Sequence, residues 1–256
     1  MRSIDREQWL ARWRAEEQQP FIGWDFSYLE GRMLEGTPPW SYLERAAALM
    51  DRARSALDMD TGGGEKLLSL RAHWPPRLVA TEEYPPNLAL VRERLEPLGV
   101  TVVEAHLSET DPMPFADGEF DLVLNRHGAF NPVEVARILA PGGVFLTQQV
   151  DGHYLADLMA LFGATPEWPD ATLARYAPML QAAGLALVDT QEWTETVRFT
   201  DVGALVYYLK AIPWTVPDFS VDRYADALLA LQERLERGEP LHFTGKLYLI
   251  EAHKPA

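Results

Sequence analysis

The segment that decides the fold is Ala56-Leu57-Asp58-Met59-Asp60-Thr61-Gly62-Gly63-Gly64-Glu65. A short apolar run leads into three consecutive glycines and then into a sequence with helical character, which predicts a strand, a tight turn and a helix. Glycine permits left-handed backbone and lets a ligand approach without a Cβ in the way. The first turn of the following helix leaves N–H groups unpaired. The segment therefore predicts a ligand-binding turn at the carboxyl end of a buried strand.

Strands and helices alternate on both sides of this turn. Strands are predicted at 56–59, 78–81, 100–104, 120–124 and 144–150, with helices at 65–72, 87–95 and 132–139. Such alternation is typical of an α/β fold with a doubly wound parallel sheet. A helix at 171–183, a strand at 185–199, helices at 202–211 and 221–237 and a strand at 245–252 follow. We expect a seven-stranded, mostly parallel sheet whose last two strands form an antiparallel pair at one edge.

Helical sequence also precedes the glycines, at 4–13 and again after Ser41, where Ser41 and Glu44 have the spacing of a capping box. These patterns divide the chain into three predicted parts. Residues 1–54 form an N-terminal helical cap, 55–199 an α/β core, and 200–256 a late helical insertion with a final strand that completes the sheet.

Composition limits the class of partner. The chain has 256 residues, a formal net charge of −15, 23 basic residues and no cysteine. Nucleic-acid binding usually requires clustered Lys and Arg, so a small-molecule partner is favoured over RNA or DNA. No apolar run has the length of a membrane span, and residues 1–7 lack the pattern of a signal peptide. We expect a cytoplasmic protein without a metal site or membrane contact; the oligomeric state stays undetermined.

Two common nucleotide motifs do not fit the glycine-rich turn. The dinucleotide motif G-x-G-x-x-G requires glycine three residues after Gly64, where this chain has Leu67. The phosphate-binding motif G-x-x-x-x-G-K-[ST] is not formed around Lys66. A nicotinamide-dependent oxidoreductase is therefore disfavoured.

The turn instead resembles the first motif of class I S-adenosylmethionine (SAM)-dependent methyltransferases, of the methyltransferase type 11 group. In that family an acidic residue at the end of the first strand is followed by G-x-G-x-G. Asp58 matches the acid, Gly62 and Gly64 match the second and third glycines, and Asp60 replaces the first. The resemblance implies SAM as cofactor and S-adenosylhomocysteine (SAH) as product. It places Asp60 beside the methionine moiety, where its carboxylate would either contact the ammonium group or weaken binding.

Three later segments resemble the same family in order and spacing. Residues 78–82 form a strand ending in an acid, which implies that Glu82, or alternatively Glu83, binds the ribose hydroxyls. Residues 111–124 resemble L-P-F-x-D-x-x-F-D-x-V, preceded by an acid for adenine, for which Glu109 and Asp111 are candidates. Residues 137–145 resemble the helix-to-strand turn usually written L-K-P-G-G, whose Pro stops the helix.

The ends of the fourth and fifth parallel strands should face the methyl group and its acceptor, because ligands bind beyond the carboxyl ends of the strands. Asn125 is a cofactor candidate, and Arg126 and Gln149 are acceptor candidates. His127 is the candidate catalytic residue, as a base or as a hydrogen-bond donor that positions the acceptor. Side chains alternate along a strand, so only one of Gln148 and Gln149 should point into the site.

Two aromatic segments outside the sheet pattern, at 24–28 and 207–214, are candidates for the acceptor pocket, with Trp24 and Tyr208 as substrate residues. Aromatic walls suit an apolar or cationic acceptor. The alternative is that these rings only pack helices onto the sheet.

These observations predict methyl transfer from SAM to a small molecule by in-line displacement. An RNA or protein methyltransferase on the same fold is one alternative. A SAM-binding protein without catalysis is the other, and the Asp60 replacement keeps it open.

Overall fold

The computed structural model describes residues 3–22 and 24–256, with the backbone only for residues 3–5. Met1 and Arg2, part of the segment inspected for a signal peptide, lie outside the described residues. The chain divides into two compact units. Unit 1 contains residues 1–37, 152–169 and 194–246, and unit 2 contains residues 38–151, 170–193 and 247–256.

The elements follow the predicted alternation closely. The helices are α1 Ser3–Glu17, α2 Tyr42–Met50, α3 Glu65–Ser69, α4 Pro85–Leu95, α5 Pro132–Ile138, α6 Ala156–Leu161, α7 Leu173–Ala182, α8 Val202–Ala211 and α9 Ala225–Glu236. The strands are β1 Met33–Leu34, β2 Ser55–Met59, β3 Arg77–Glu82, β4 Thr101–Glu104, β5 Phe120–Arg126, β6 Leu139–Val150, β7 Ala186–Phe199 and β8 Leu241–His253. Single 3-10 turns lie at Ser27–Leu29, Arg71–His73 and Glu96–Leu98.

The strands form one eight-stranded sheet in the order β1-β7-β8-β6-β5-β2-β3-β4, one strand more than predicted. Strand β1 belongs to unit 1, and β7 and β8 are each divided between the two units. The pairs β2/β3, β3/β4, β2/β5 and β5/β6 are parallel, and β8 runs antiparallel to β6. The predicted doubly wound, mostly parallel sheet is confirmed. Its strand order reverses between β2 and β5, whose carboxyl ends are neighbours because Met59 pairs with Asn125. A reversal of this kind opens the crevice in which α/β folds bind ligands.

Alternating side chains give the sheet two apolar faces. On β2, Leu57 joins a core with α5 and α7, whereas Ala56 joins a second core with α2, α3 and α4. On β5, Val123 belongs to the first core and Leu122 to the second. The strands are therefore covered by helices on both faces, as parallel sheets require.

The turn between α5 and β6 differs from its prediction. The helix ends at Ile138, and Leu139 already pairs with Phe120 on β5. Pro141 therefore does not stop the helix but lies inside β6, where a register shift between Phe120 and Leu122 accommodates it. Strand pairing, a long-range interaction, ends the helix before the proline does.

Unit 1 has its own apolar core, formed by α1, α6, α8, α9 and the adjoining parts of β7 and β8. Strand β1 pairs antiparallel with β7, with Met33 opposite Phe199. A strand of two residues is too short to be predicted from a sequence pattern. Arg32 joins α1 to the start of α8 through ion pairs with Glu16 at 2.8 Å and Asp201 at 2.7 Å. The unit is thus assembled from three separate stretches of chain.

The two units do not coincide with the three predicted parts. Residues 38–54, predicted in the helical cap, belong to unit 2, and residues 152–169 and 194–199, predicted in the core, belong to unit 1. The boundaries differ because α2 packs on β2 and β5 side chains that lie later in the sequence, which no local pattern encodes.

Candidate functional site

The glycine turn, residues 60–64, lies where β2 ends at the strand-order reversal. Asp60, Gly62 and Gly64 have φ of +51°, +63° and +81°. At Gly64 a Cβ would lie 3.3 Å from Val91 and Leu95 of α4, so glycine also permits close packing beneath the turn. The backbone N–H of Thr61 donates to Thr81 O at 2.9 Å, which ties the turn to β3. The predicted strand, turn and helix are all present.

Asp60 takes the strained left-handed conformation at the position where glycine was expected. Its backbone N–H donates to Thr81 Oγ1 at 3.1 Å. Its carboxylate packs against Gly128 in the loop after β5, where a Cβ would lie only 2.9 Å from the Asp60 Cβ. The absence of a side chain at Gly128 therefore leaves space for the Asp60 carboxylate. This contact joins the loop after β2 to the loop after β5, where the strand order reverses.

Carboxylates accumulate around this turn. Desolvation, reinforced by Glu82, Glu83 and Asp58, raises the pKa of Asp60 to about 7, while the nearby His106 opposes the rise. Desolvation likewise raises the pKa of Asp58 to about 6, against the opposing effects of Thr61 and Arg126. A ligand carrying positive charge would relieve this repulsion, whereas a phosphate would add to it.

Glu82 ends β3 with its carboxyl group buried. Its Oε1 accepts the backbone N–H groups of Glu83 and Tyr84, each at 2.9 Å. Glu83 instead contacts the exposed His106 through Oε2. The two acids are thus distinct: Glu82 is fixed toward the sheet edge and Glu83 is engaged at the surface, which supports Glu82 as the ribose candidate.

The two adenine candidates also differ. Both Glu109 oxygens are engaged, by Arg175 at 3.1 and 2.5 Å and by the Tyr176 hydroxyl. Burial raises the pKa of Glu109, but the hydrogen bonds from Arg175 and Tyr176 outweigh it and lower the pKa overall. Among the described residues, the Asp111 carboxylate accepts a hydrogen bond from Ser108 Oγ at 2.8 Å and lies 3.8 Å from His106 Nε2. Because the Glu109 carboxylate is bound to Arg175 and Tyr176 of α7, Asp111 is the better supported candidate for the acid that faces adenine.

A buried polar network joins the ends of β5 and β6. Asn125 Oδ1 accepts from Thr147 Oγ1 at 2.9 Å and from Gln149 Nε2. Gln149 Nε2 also donates to the backbone oxygen of Gly128 at 3.0 Å. Among the described residues, Asn125 Nδ2 has no hydrogen-bond partner although it is fully buried. An unpaired buried donor beside the glycine turn fits a ligand that carries an oxygen acceptor.

Arg126 and His127 follow directly. His127 is exposed, has φ of +63°, and donates its backbone N–H to Gln148 O at 2.9 Å. Its Nε2 lies 3.1 Å from Gln148 Nε2. Desolvation, with the positive charges of Arg126 and Lys66, lowers the pKa of His127 to about 3. The imidazole is therefore neutral at pH 7.

Gln148 and Gln149 point to different partners, as strand alternation predicted. Gln148 meets Trp40 and His127, whereas Gln149 meets Asn125 and Gly128. Sequence reasoning did not identify Trp40, whose indole N–H donates to Gln148 Oε1 at 2.8 Å. Trp40 lies just before the N-cap of α2, and nothing in that position predicts a contact with a residue 108 positions later in the sequence.

Trp24 and Tyr208 both belong to unit 1. Trp24 is 47% exposed and its ring centroid lies 5.8 Å from that of Trp214 and 6.5 Å from that of Phe26. Phe26 in turn lies 6.5 Å from the buried Tyr208. We call these four residues the aromatic cluster. Desolvation and Glu35 raise the pKa of Tyr208 above its ordinary value, so its hydroxyl stays protonated.

The cofactor candidates fit the chemistry of SAM. The acids of the glycine turn suit its sulfonium and ammonium charges, Glu82 suits its ribose hydroxyls, and Asn125 Nδ2 suits its carboxylate. The described residues hold no group of three or more His, Asp or Glu side chains arranged to bind a metal. Over the same residues, no helix has both the length and the apolar character to cross a bilayer.

Comparison with known proteins agrees with this geometry. Residues 57–147 match a family model described as a methyltransferase domain. The YcgJ protein from Bacillus subtilis is similar in structure, with a TM-score of 0.59, 20% identity, and coverage of 84% of this chain and 98% of that one. A SAM-dependent methyltransferase from Mesorhizobium loti aligns with a TM-score of 0.52, 17% identity and coverage of 86% and 99%.

A third similar structure is phosphoethanolamine N-methyltransferase 2 from Haemonchus contortus in complex with SAM. It has a TM-score of 0.51 and 16% identity, and the alignment covers 83% of this chain and 53% of that one. No match was found among curated protein sequences. The residues 57–147 that match the methyltransferase domain model contain the glycine turn and strands β3, β4 and β5.

Proposed function

We propose that this protein transfers the methyl group of SAM to a small-molecule acceptor, with SAH as the second product. The observation that carries the proposal is the group of carboxylates at the glycine turn, Asp58, Asp60 and Glu82, with the raised pKa values of the first two. Such a site favours a cationic cofactor and disfavours a dinucleotide, whose pyrophosphate would meet the same charges.

In this proposal Glu82 binds the ribose, Asp111 faces adenine, and Asp60 and Asn125 hold the methionine moiety. SAM supplies an electrophilic methyl group on a positively charged sulfur. Transfer requires mainly that the acceptor atom be held in line with that methyl group, so positioning provides most of the rate. Arg126, His127 and Gln149, at the neighbouring strand ends, are the acceptor-binding candidates of unit 2.

A small acceptor is supported by charge and by the aromatic cluster. A net charge of −15 opposes binding of RNA. The aromatic cluster of unit 1 offers the apolar and π surfaces that suit an apolar or cationic small molecule. The similar Haemonchus contortus enzyme is named for an amine acceptor, phosphoethanolamine. A cytoplasmic location is part of the proposal and agrees with a sequence that lacks cysteine.

The first experiment is calorimetric titration of the purified protein with SAM, SAH and NAD. We expect micromolar dissociation constants for SAM and SAH and no heat with NAD. D60N should weaken SAM binding, and E93Q, which removes an exposed carboxylate from α4, is the matched control. Binding of NAD alone, or of none of the three, would overturn the proposal.

The second experiment measures SAH production with small-molecule amines, alcohols and carboxylates as acceptors. Turnover with one of these classes supports the small-molecule assignment, whereas turnover only with RNA or protein assigns the alternative acceptor. SAM binding without turnover on any acceptor class would favour a SAM-binding protein without catalysis.

A further inference from the structure

We propose that Trp40 and Gln148 hold His127 as its neutral Nδ1–H tautomer, so that His127 serves the methyl acceptor as a hydrogen-bond donor and not as a general base. The proposal rests on the proposed function for the identity of the acceptor reaction. The state of the imidazole itself follows from three side chains of unit 2.

The chain of contacts begins at Trp40, in the loop before α2. An indole N–H can only donate, so the Gln148 atom 2.8 Å from Trp40 Nε1 must be the amide oxygen. Trp40 is 5% exposed and Gln148 is 6% exposed, which leaves little room for water to replace either partner. Trp40 therefore determines which way the Gln148 amide faces.

The amide orientation then determines the His127 tautomer. With its oxygen turned to Trp40, Gln148 presents Nε2 to His127 Nε2 at 3.1 Å. An amide nitrogen can only donate, so His127 Nε2 accepts and carries no proton. In a neutral imidazole the proton then lies on Nδ1.

The backbone holds the ring in place for this contact. Arg126 pairs with Gln148 in the β5/β6 register, and the His127 N–H donates to Gln148 O at 2.9 Å. The His127 ring thus accepts a hydrogen bond from the Gln148 side chain, and the His127 backbone N–H donates one to the Gln148 backbone oxygen. Its left-handed φ of +63° is maintained by this two-point attachment.

Two positive charges nearby act in the same direction, and one acidic group acts against them. Desolvation and the charges of Arg126 on β5 and Lys66 on α3 disfavour the imidazolium and lower the pKa of His127. Asp60, whose carboxylate packs against Gly128, is the acidic group next to this loop. A base as weak as this imidazole is poorly matched to proton abstraction near pH 7.

Within the described part of the chain, Gln148 is the residue to which the His127 ring hydrogen-bonds, through Nε2. The Nδ1–H is therefore available to a ligand at the carboxyl end of β5, in a residue that is exposed as a whole. It suits an acceptor that offers an oxygen, because an oxygen can accept this hydrogen bond and keep a second lone pair for attack on the methyl group. The proton lost by a hydroxyl acceptor would then leave by another route, such as solvent.

The test is the ¹⁵N spectrum of the histidine rings in the unliganded full-length protein. We expect His127 to show a protonated Nδ1 and an unprotonated Nε2, without titration between pH 5 and 8. H127Q assigns the resonances, and the remaining histidines are internal references. In Q148E a carboxylate faces Nε2, so we expect the proton to move to Nε2 or the ring to titrate within that range.

W40F removes the indole donor while keeping an aromatic ring, and frees the amide to rotate. We expect a mixture of the two tautomers. W74F is the matched control, because Trp74 donates its indole N–H to Leu67 O at 3.0 Å, away from His127; it should leave the His127 spectrum unchanged. If W40F does not fold, Q148E tests the same contact.

An Nε2–H tautomer or titration near pH 6.5 in the unsubstituted protein would overturn the proposal. An unchanged His127 spectrum in folded Q148E would do the same. Titration with SAM on the same samples separates the two proposals, since loss of SAM binding would contradict the proposed function and leave the tautomer measurement intact.

Discussion

The glycine turn and the aromatic cluster differ in how their residues come together. The turn consists of five consecutive residues, and its partners Glu82 and Gly128 lie at the ends of neighbouring strands. The aromatic cluster draws Trp24, Phe26, Tyr208 and Trp214 from two segments about 180 residues apart in sequence. The first region is charged and holds strained backbone, whereas the second is apolar and held by packing. In the proposed function, the cofactor residues are therefore close to local sequence motifs, whereas the aromatic candidates for the acceptor come together only in the tertiary structure.

The largest expected effect tests whether packing holds the aromatic cluster. Phe199 is fully buried in unit 1, with its ring 5.6 Å from that of Tyr208. F199A should lower the free energy of unfolding by about 3–5 kcal/mol, because it leaves a cavity. W24A, at a ring that is 47% exposed, should cost about 1 kcal/mol. Urea denaturation measures both; equal losses would show that Trp24 is itself a core residue.

The second prediction separates cofactor binding from the aromatic cluster. E82A removes the ribose candidate and leaves the N–H groups of Glu83 and Tyr84 without their acceptor. We expect the dissociation constant for SAM to rise about 100-fold, the effect of losing one or two charge-assisted hydrogen bonds. W24A should change it less than about threefold. Calorimetry checks both, and a similar loss in W24A would contradict the division between the regions.

The third prediction uses the charge of the glycine turn. The pKa of Asp60 is raised to about 7 in the folded protein from its ordinary value of 3.8. The folded state therefore binds the proton more tightly, and Asp60 destabilises the fold progressively as the pH rises from about 4 to 7. D60N should therefore be more stable than the unsubstituted protein at pH 8 and gain nothing at pH 4.

Urea denaturation of both proteins at pH 4, 6 and 8 provides the measurement. E93Q, on the exposed face of α4, is again the control and should show no such pH dependence relative to the unsubstituted protein. A D60N stability difference that is constant across this range would mean that Asp60 is already ionised throughout.

The smallest expected effect is proton release on cofactor binding. A cationic cofactor favours the ionised form of Asp60, so SAM binding at pH 7 should release a fraction of a proton, and less at pH 9 where Asp60 is already charged. SAH lacks the sulfonium charge and should release less than SAM. Titrations in buffers of different ionisation enthalpy measure this number; equal release by SAM and SAH would place Asp60 away from the sulfonium.

The sequence predicted much of the fold because its signals are local. Alternating apolar runs gave the parallel strands, and Ser41 caps α2 as its spacing with Glu44 indicated, with Ser41 Oγ 3.2 Å from Glu44 N. Pairing between distant strands was not predictable in this way. Leu139 leaves α5 because it pairs with Phe120, and β1 exists because β7 lies beside it.

The candidate site shows the same division. Motif spacing was enough to predict the glycine turn, the acid Glu82 at the end of β3 and the position of His127, because the carboxyl ends of parallel strands lie at one edge of the sheet. Three contacts became visible only in the folded chain: the ion pair of Glu109 with Arg175, the packing of Asp60 against Gly128, and the hydrogen bond from Trp40 to Gln148. Those contacts depend on side-chain direction and burial across long separations in sequence, which no local pattern of residue types specifies.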